Sequence, residues 1–189
     1  MSCFFERVKR FSADESIIIP ERKTKYSAGY DFAVAEDTII KPYKSLWIDF
    51  DYKISKDGAE NYIIKEQRYT VNQMAELTKQ FKTRPTLVPT GIKCCLPKDC
   101  YLELSMRSST PLKTGLIMAN GIGIIDCDYY NNPDNDGEIF FQVINLSPFS
   151  ILLKKGDIIG QGIIKHYYKV DNDAADGERL GGFGSTSNE

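Results

Sequence analysis

Apolar and polar residues alternate along much of the chain, and this pattern predicts β-strands. The clearest case is Tyr101–Met106, where Leu102, Leu104 and Met106 alternate with more polar neighbours. Short runs of β-branched and aromatic residues bounded by turn formers indicate further strands. These predicted strands are Phe4–Phe11 (a strand or arm), Ser16–Pro20, Tyr26–Ala35, Thr38–Ile40, Ser45–Phe50, Thr86–Ile92, Glu138–Leu146 and Ile158–Ile164.

One helix is predicted, near residues 70–82, within a segment 49–84 that otherwise has a mixed pattern. Thr70 and Gln73 have the spacing of a capping box, in which each side chain bonds the other residue's backbone N–H. Helical spacing places four residues on one face: Val71, Met74, Thr78 and Phe81. Two interpretations stay open. The helix either packs on the sheet without a functional role, or it acts as a lid or binds a partner.

Composition narrows the class of protein. A chain of 189 residues fits one domain, and 42% hydrophobic with 26% charged residues is ordinary for a globular protein. The net charge of −2 argues against a partner such as duplex nucleic acid. No apolar run approaches the roughly 18 residues of a membrane span, and the first residues are too charged for a signal peptide. The odd number of cysteines, five, favours a reducing cytoplasm.

Cysteine and histidine spacing predicts neither a zinc site nor a nucleophile. Cys94 and Cys95 are adjacent, so their side chains would point to opposite faces of a strand. Cys100 follows too late for a CxxC knuckle, and structural thiols are therefore expected. His166, the one histidine, has no nucleophile at a suggestive spacing, which argues against a Ser-His or Cys-His hydrolase.

The densest chemistry lies in Ser105–Tyr130. Arg107-Ser108-Ser109 offers a guanidinium and two hydroxyls, which can donate to phosphate oxygens. Asn120–Asp126 holds two glycines that let a backbone approach a flat ligand. Asp126 follows two isoleucines, where burial would make it a poised base. On residue types alone, a β-hairpin whose turn carries polar residues without a chemical role explains the segment equally well.

The glycine-rich end, Glu178–Glu189, cannot build a core of its own. Disorder is the simplest interpretation for such a terminus. The alternative is a phosphate-binding nest, in which glycine amides act with Ser185 and Thr186. Phe183 is the side chain in this segment that can stack on a base.

Five short motifs follow one another along the chain: AGYDF (Ala28–Phe32), RSS (Arg107–Ser109), NGIGIID with DYY (Asn120–Tyr130), GDIIGQ (Gly156–Gln161) and GGFGST (Gly181–Thr186). In type and order they resemble the five signature motifs of the trimeric dUTPases. The resemblance covers most of the chain except 49–84. A smaller insertion, Tyr130–Asp136, is predicted to be an exposed acidic loop because it is rich in turn formers.

The resemblance implies a fold, a domain organisation and an activity. The fold would be an all-β, jelly-roll-like domain over residues 1–177, with the segment 49–84 as an insert. Residues 178–189 would form an arm that closes a neighbouring subunit's site in a homotrimer. The activity would be Mg²⁺-dependent hydrolysis of dUTP to dUMP and pyrophosphate, which keeps uracil out of DNA and supplies dUMP. Neither membrane nor direct nucleic-acid binding is expected, and the insert offers a possible surface for a protein partner.

The resemblance also implies roles for individual residues. Asp126 would activate the attacking water, Tyr129 (rather than Tyr130) would pack on the deoxyribose, and Asp31 would contact the magnesium through water. Uracil would be held by Asn120, Gly123, Ile124 and Ile125. The phosphates would be held by Arg107, Ser108, Ser109 and Gln161. The arm would contribute Arg179, Phe183, Gly184, Ser185 and Thr186, although Arg179 lies one residue nearer the glycines than the family arginine.

Two other functions compete with this hypothesis. One is a regulatory binding protein that uses the fold and its insert to engage a protein, with nucleotide as a switch. The other is an enzyme of the dCTP deaminase type. Asp126, Arg107 and Phe183 favour an active enzyme over a pure binder, and IIDCDY resembles the hydrolase form of the third motif more than a deaminase.

Overall fold

The computed structural model describes residues 2–43, 50–54, 60–64, 67–70, 72–73, 76, 84–177, 179 and 181–182. The chain divides into two compact units, one formed by residues 1–42 with 85–189 and the other by 43–84. Predictions for Phe183, Gly184, Ser185 and Thr186, and for most of Ser45–Phe50, lie outside the described residues. Within the described residues, no helix has the length and apolar character to cross a membrane.

Short strands make up most of the regular structure. In chain order they are β1 Phe4–Arg7, β2 Tyr30–Ala33, β3 Thr38–Ile40, β4 Phe50–Ile54, β5 Glu60–Ile64, β6 Gln67–Thr70, β7 Thr86–Pro89, β8 Ile92–Cys95, β9 Cys100–Met106, β10 Leu116–Met118, β11 Gly123–Asp126, β12 Phe140–Asn145, β13 Ile151–Leu153 and β14 Ile158–His166. The described residues of the larger unit also include a short α-helix, Ser109–Thr114, and 3₁₀ turns at Lys9–Phe11 and Cys127–Tyr129.

The strands of the larger unit form antiparallel ladders. A four-stranded sheet has the order β11-β9-β14-β2, and a three-stranded sheet has the order β10-β12-β7. The pairs β1-β8 and β13-β3 complete the ladders described for this unit. The prediction of an all-β fold is therefore confirmed.

The two larger sheets meet across an apolar core. Phe32 of β2 and Phe141 of β12 are both fully buried, and their ring centroids lie 5.9 Å apart. Along β9, Leu102 and Leu104 are buried while Glu103 between them is half-buried, as the alternation predicts. Burial of this kind stabilises the fold by about 1.5–3 kcal/mol per large side chain.

The smaller unit contains a three-stranded antiparallel sheet, β4-β5-β6. The predicted capping box follows it directly. The Thr70 N–H donates to Gln73 Oε1 at 2.9 Å, and the Gln73 N–H donates to Thr70 Oγ1 at 3.3 Å. Asn72, Gln73 and Glu76 are helical, so the predicted start of the helix is confirmed, while most of its length lies outside the described residues.

The strand predicted at Ser16–Pro20 is wrong. Ile17 is buried, but Ile18 and Ile19 are exposed and the segment pairs with no strand among the described residues. The guanidinium of Arg7 instead donates to the Ile17 carbonyl at 3.1 Å. A side chain therefore satisfies a backbone group that a ladder would otherwise engage.

The hairpin offered as an alternative for Ser105–Tyr130 does not form at Asn120, because β10 and β11 belong to different sheets. Leu116–Met118 pairs with β12, whereas Gly123–Asp126 pairs with β9. The turn between them includes Gly121, which has a positive φ of 72° that glycine adopts without strain. The chain thus crosses from one sheet to the other at Asn120, which places this turn where the two sheets diverge.

Gly160 of β14 is required by the close packing of the two sheets. A Cβ at this position would lie 2.2 Å from Phe141 Cε1 and 2.6 Å from the Ser105 carbonyl oxygen. We expect Gly160→Ala to lower the free energy of unfolding by about 1–3 kcal/mol, measured by urea denaturation at fixed protein concentration. Gly177→Ala is the control, because nothing lies within 4 Å of a Cβ there. Equal stability of the two variants would contradict this packing.

Candidate active site

A cavity of about 190 Å³ lies where the two sheets diverge. Its walls come from β9, β11 and β12, from the turn at Asn120, and from two residues near the C-terminus. Seven of the predicted site residues line it: Asn120, Gly123, Ile124, Ile125, Asp126, Tyr129 and Arg179. The structure therefore brings together residues that were assigned to base, sugar and catalysis.

Tyr129 forms a fixed wall of the cavity. It is 6% exposed, and its hydroxyl accepts a hydrogen bond from Asn135 Nδ2 at 2.6 Å and donates to the Glu138 carbonyl at 3.3 Å. Burial raises the pKa of its phenol, so the ring stays neutral. Gly182 lies against this ring, since a Cβ there would be 2.9 Å from Tyr129 Cε2.

Tyr130 points away from the cavity. Its hydroxyl donates to the carboxylate of Glu6, and its ring packs edge-on against Phe4. The hydrogen bond to Glu6 and burial raise the pKa of Tyr130 to about 12. The position of the two rings favours Tyr129 over Tyr130 as the residue that meets a ligand.

Asp126 is exposed, and the expectation that neighbouring isoleucines bury it is wrong. Half of its side chain is accessible, and its partner is Arg179, whose Nη2 donates to Asp126 Oδ2. Arg179 also donates through Nε to Asp128 Oδ1 at 2.7 Å. Burial opposes the charge of Arg179, but these two carboxylates outweigh it and raise the pKa of the guanidinium. Asp126 is therefore accessible to solvent while it is paired with the guanidinium of Arg179.

Asp31, Arg107 and Gln161 belong to a second cluster of predicted residues, on the four-stranded sheet. Gln161 lies opposite both Asp31 and Ser105 in the ladders, and its Nε2 donates to Ser105 Oγ at 3.4 Å. Arg107 Nε lies 3.6 Å from the buried carboxylate of Asp31. Gly29 makes room for this cluster, because a Cβ there would lie 2.4 Å from Gln161 Oε1.

The predicted phosphate-binding residues begin where β9 ends. Arg107 and Ser108 are exposed, and Ser109 opens the short helix. Gly115, with φ 71°, ends that helix, which the sequence interpretation did not predict. The guanidinium and both hydroxyls are thus presented at one end of the four-stranded sheet.

The two clusters lie at opposite ends of β9. Asp126 pairs with Tyr101, whereas Gly160 pairs with Met106, the residue before Arg107. Arg107 lies six positions after Tyr101, which corresponds to about 20 Å along an antiparallel strand. A single chain therefore does not bring Asp126 to the same phosphate as Arg107.

Glu138 is a wall residue to which the sequence interpretation gave no role. Its carboxylate is 3% exposed, accepts two hydrogen bonds of 2.8 Å from Arg10, and accepts the Gly91 N–H at 3.0 Å. Four other lining residues were missed: Leu104, Phe140, Gln142 and Gly182. Leu104, Phe140 and Gln142 have the local pattern of core strands, and Gly182 lies in the motif GGFGST. Only the tertiary structure shows that these residues line a cavity.

The loop Tyr130–Asp136 is less exposed than predicted. Asn132 is buried, and Asp136 accepts hydrogen bonds from Lys93 Nζ at 3.1 Å and from the Lys9 N–H at 2.7 Å. Burial tends to raise the pKa of Asp136, but the Lys9 and Lys93 partners outweigh it and lower the pKa below its usual value. The loop is thus tied to the N-terminal segment beside the cavity.

Asp136 makes the stability of this loop dependent on pH. The pKa of Asp136 is lower in the folded protein than in the unfolded chain. Its contribution to the free energy of unfolding is therefore present above the unfolded pKa of about 3.9 and disappears as the pH falls through the folded pKa. We expect Asp136→Asn to destabilise the protein above pH ~4 and the difference from wild type to shrink below it. Urea denaturation on both sides of pH ~4 measures this difference in the free energy of unfolding. Asp134→Asn, at an exposed neighbouring residue, is the control. A difference that stays constant with pH would contradict the prediction.

Comparison with known proteins supports one class of enzyme for this all-β fold and cavity. The sequence model of the dUTPase family matches residues 69–187. The deoxyuridine 5'-triphosphate nucleotidohydrolase of Lactococcus lactis subsp. lactis is 33% identical over 184 residues, covering 96% of this chain and 95% of that protein.

Solved structures agree with that match. The crystal structure of dUTPase from Streptococcus mutans is 31% identical and has a TM-score of 0.64, over 89% of this chain and 99% of that one. A dUTPase from phage phi11 of S. aureus, with a species-specific insert, shares the fold at 15% identity and a TM-score of 0.57, over 94% and 97%. The chain belongs to the dUTPase family, which confirms the family predicted from the motifs.

Proposed function

We propose that the chain hydrolyses dUTP to dUMP and pyrophosphate, with Asp126 activating water for attack on the α-phosphate. By family membership it is a dUTP diphosphatase. The observation that supports the mechanism best is the cavity in which Asp126, Asn120 and Tyr129 converge. In the cell the reaction would keep uracil out of DNA and supply dUMP.

The base would be recognised by backbone groups of β11. This strand lies at the edge of its four-stranded sheet in the described part of the chain. Edge strands present unpaired N–H and C=O groups at alternate residues, and Gly123, Ile124 and Ile125 of this strand line the cavity. A backbone pattern that matches uracil leaves groups unpaired against cytosine, which discriminates strongly. Tyr129 would pack on the deoxyribose and exclude a 2′-hydroxyl.

Asp126 is suited to the catalytic role by its accessibility. A general base must lie within hydrogen-bond reach of the water that it deprotonates, and half of this side chain is open to solvent. Arg179 would exchange its contact with Asp126 for the substrate's phosphates. Phe183, Gly184, Ser185 and Thr186, outside the described residues, are proposed to stack on the base and donate to phosphate.

The phosphates would be held by Arg107, Ser108, Ser109 and Gln161, the cluster at the other end of β9. Asp31 fits a role toward Mg²⁺, since its carboxylate lies beside Arg107 at this phosphate-binding end. Magnesium takes few protein ligands and keeps several waters alongside substrate phosphates. When bound, Mg²⁺ would neutralise charge on the phosphates, while Arg107 and Gln161 fix their position.

A homotrimer with shared sites is part of the proposal, because about 20 Å of strand separates Asp126 from Arg107 within one chain. Exposed apolar residues support association between copies. Ile39 of β3 and Leu152 of β13 lie directly opposite each other, and 61% and 49% of their surfaces are exposed. Phe149, in the turn before β13, is 76% exposed. Trimerisation in the jelly-roll-like arrangement of the family would cover such residues.

Two further assignments complete the proposal. All five cysteines are free thiols, which supports a reducing, cytoplasmic compartment. The segment 43–84 forms its own compact unit, which favours an added role in binding a protein partner. The domain division proposed from the sequence, 1–177 with an insert 49–84 and an arm 178–189, stays a prediction.

The activity is tested by pyrophosphate release with Mg²⁺ from dUTP, dCTP, dTTP and UTP. We expect cleavage of dUTP alone, and Asp126→Asn should lower its rate by about 10²-fold or more because the general base is lost. Asp176→Asn, an exposed acid in the linker, serves as the matched control. Cleavage of dCTP would overturn the base assignment, and binding of dUTP without cleavage would favour the regulatory alternative.

Sharing of sites is tested by mixing two inactive variants, Asp126→Asn and Arg107→Ala. If each site takes these two residues from different subunits, random mixed trimers should regain about a quarter of wild-type activity. The reason is that one subunit supplies the intact aspartate and its neighbour the intact arginine. Equal mixtures refolded together are compared with each variant refolded alone. Differential tagging of the two variants verifies that mixed trimers form. If such trimers regain no activity, shared sites are contradicted.

A further inference from the structure

Three side chains with metal-binding atoms meet at the end of the four-stranded sheet. Cys100 begins β9, His166 ends β14, and the two residues are directly paired in the ladder. Asp99 precedes Cys100. Their ligand atoms all lie within 4.8 Å of one another, and among the described residues no other group of three such side chains converges in this way.

The distances in this cluster match the edges of a zinc coordination tetrahedron. Zn–S bonds of about 2.3 Å and Zn–N and Zn–O bonds of about 2.0–2.1 Å require S···N, N···O and S···O separations of about 3.6, 3.3 and 3.5 Å. Cys100 Sγ lies 3.6 Å from His166 Nδ1, and Asp99 Oδ2 lies 3.3 Å from the same nitrogen. Asp99 Oδ1 lies 3.7 Å from Cys100 Sγ. The two Asp99 distances are to different carboxylate oxygens, so a rotation of this exposed side chain would bring one oxygen, the sulfur and Nδ1 around a single cation.

We propose that Asp99, Cys100 and His166 form a binding site for a borderline-soft divalent cation, Zn²⁺ in particular, with water as the fourth ligand. Thiolate and imidazole select such ions, whereas Mg²⁺ prefers oxygen ligands. The donor set thus separates this site chemically from the one at Asp31. On binding, the Cys100 thiol releases its proton to solvent, and the sulfur, Nδ1 and a carboxylate oxygen form the three bonds to the metal.

The accessibility of the cluster suits a site that an ion can enter. Cys100 is 3% exposed, while the side chains of His166 and Asp99 are 74% and 65% exposed. The ion would therefore lie at the protein surface, at the end of the four-stranded sheet, with the buried thiolate on one side and solvent on the other. Spacing along the sequence does not reveal this arrangement, because His166 reaches Cys100 only through strand pairing.

The site lies where the C-terminal segment leaves the sheet. Tyr167 follows His166, its N–H donates to the Asp99 carbonyl at 3.1 Å, and its hydroxyl donates to the Lys98 carbonyl at 2.9 Å. A metal ion would add bonds to this junction and fix the point from which the chain runs to Arg179. Cys100 also precedes Tyr101, the ladder partner of Asp126. The role of the metal ion would therefore be to fix the position of this end of the sheet.

The test uses Co²⁺ and Zn²⁺ with the purified full chain in the presence of excess Mg²⁺. Titration with Co²⁺ should give the near-ultraviolet charge-transfer band of a cobalt–thiolate bond at one ion per chain, and Zn²⁺ should bleach it. Cys100→Ser should abolish the band, and His166→Ala should abolish it or weaken Co²⁺ binding at least tenfold. Zn²⁺ should raise the Tm of wild type and leave that of both variants unchanged.

Cys95→Ser is the matched control, since Cys95 lies on β8 and its Sγ contacts the Ser2 carbonyl at 3.9 Å. It should keep the full band and the full Tm shift. His166 is exposed, so His166→Ala keeps the test informative even if Cys100→Ser fails to fold. Absence of the band in wild type would show a hydrogen-bonded cluster only and overturn the proposal. An unchanged band in His166→Ala, or its loss in Cys95→Ser, would also overturn it.

Discussion

The pairing of β9 with β11 on one side and β14 on the other is the constraint on which the functional geometry depends. Asp126 is aligned with Tyr101 at one end of β9, and Gly160 with Met106 at the other. Because a strand rises by a fixed distance per residue, this register separates the candidate base from the candidate phosphate ligands. The same ladder pairs Cys100 with His166. Register therefore decides which of these side chains a single chain brings together.

The cavity is a consequence of how two sheets pack and then separate. Phe32 and Phe141 hold them together, and Gly160 permits that approach because it has no Cβ. Beyond this contact the chain crosses between sheets at Asn120, and the space left at the crossing is the cavity. The two sheets therefore pack closely at one position and diverge at the next, which produces a cavity lined in part by residues of β11.

Much of the fold and part of the site could be predicted from the sequence. Alternation along β9 and the capping box at Thr70 depend on neighbouring residues, so local rules find them. The motif around Asn120–Tyr129 identified residues that line the cavity. The strand at Ser16–Pro20 failed because three consecutive isoleucines do not supply a pairing partner. The exposure of Asp126 was missed because burial depends on what packs from elsewhere in the chain.

The sequence by itself determined the all-β class, the family, and the residue types available for phosphate, base and metal chemistry, because these depend on composition, periodicity and motif order. Only the tertiary structure decided that β10 and β11 join different sheets and that Tyr129 faces the cavity while Tyr130 packs on Phe4. It alone brought Cys100 to His166. The physical reason is that strand pairing joins residues that are remote in the chain, and no local pattern of side chains specifies the partner or the register of such a pair.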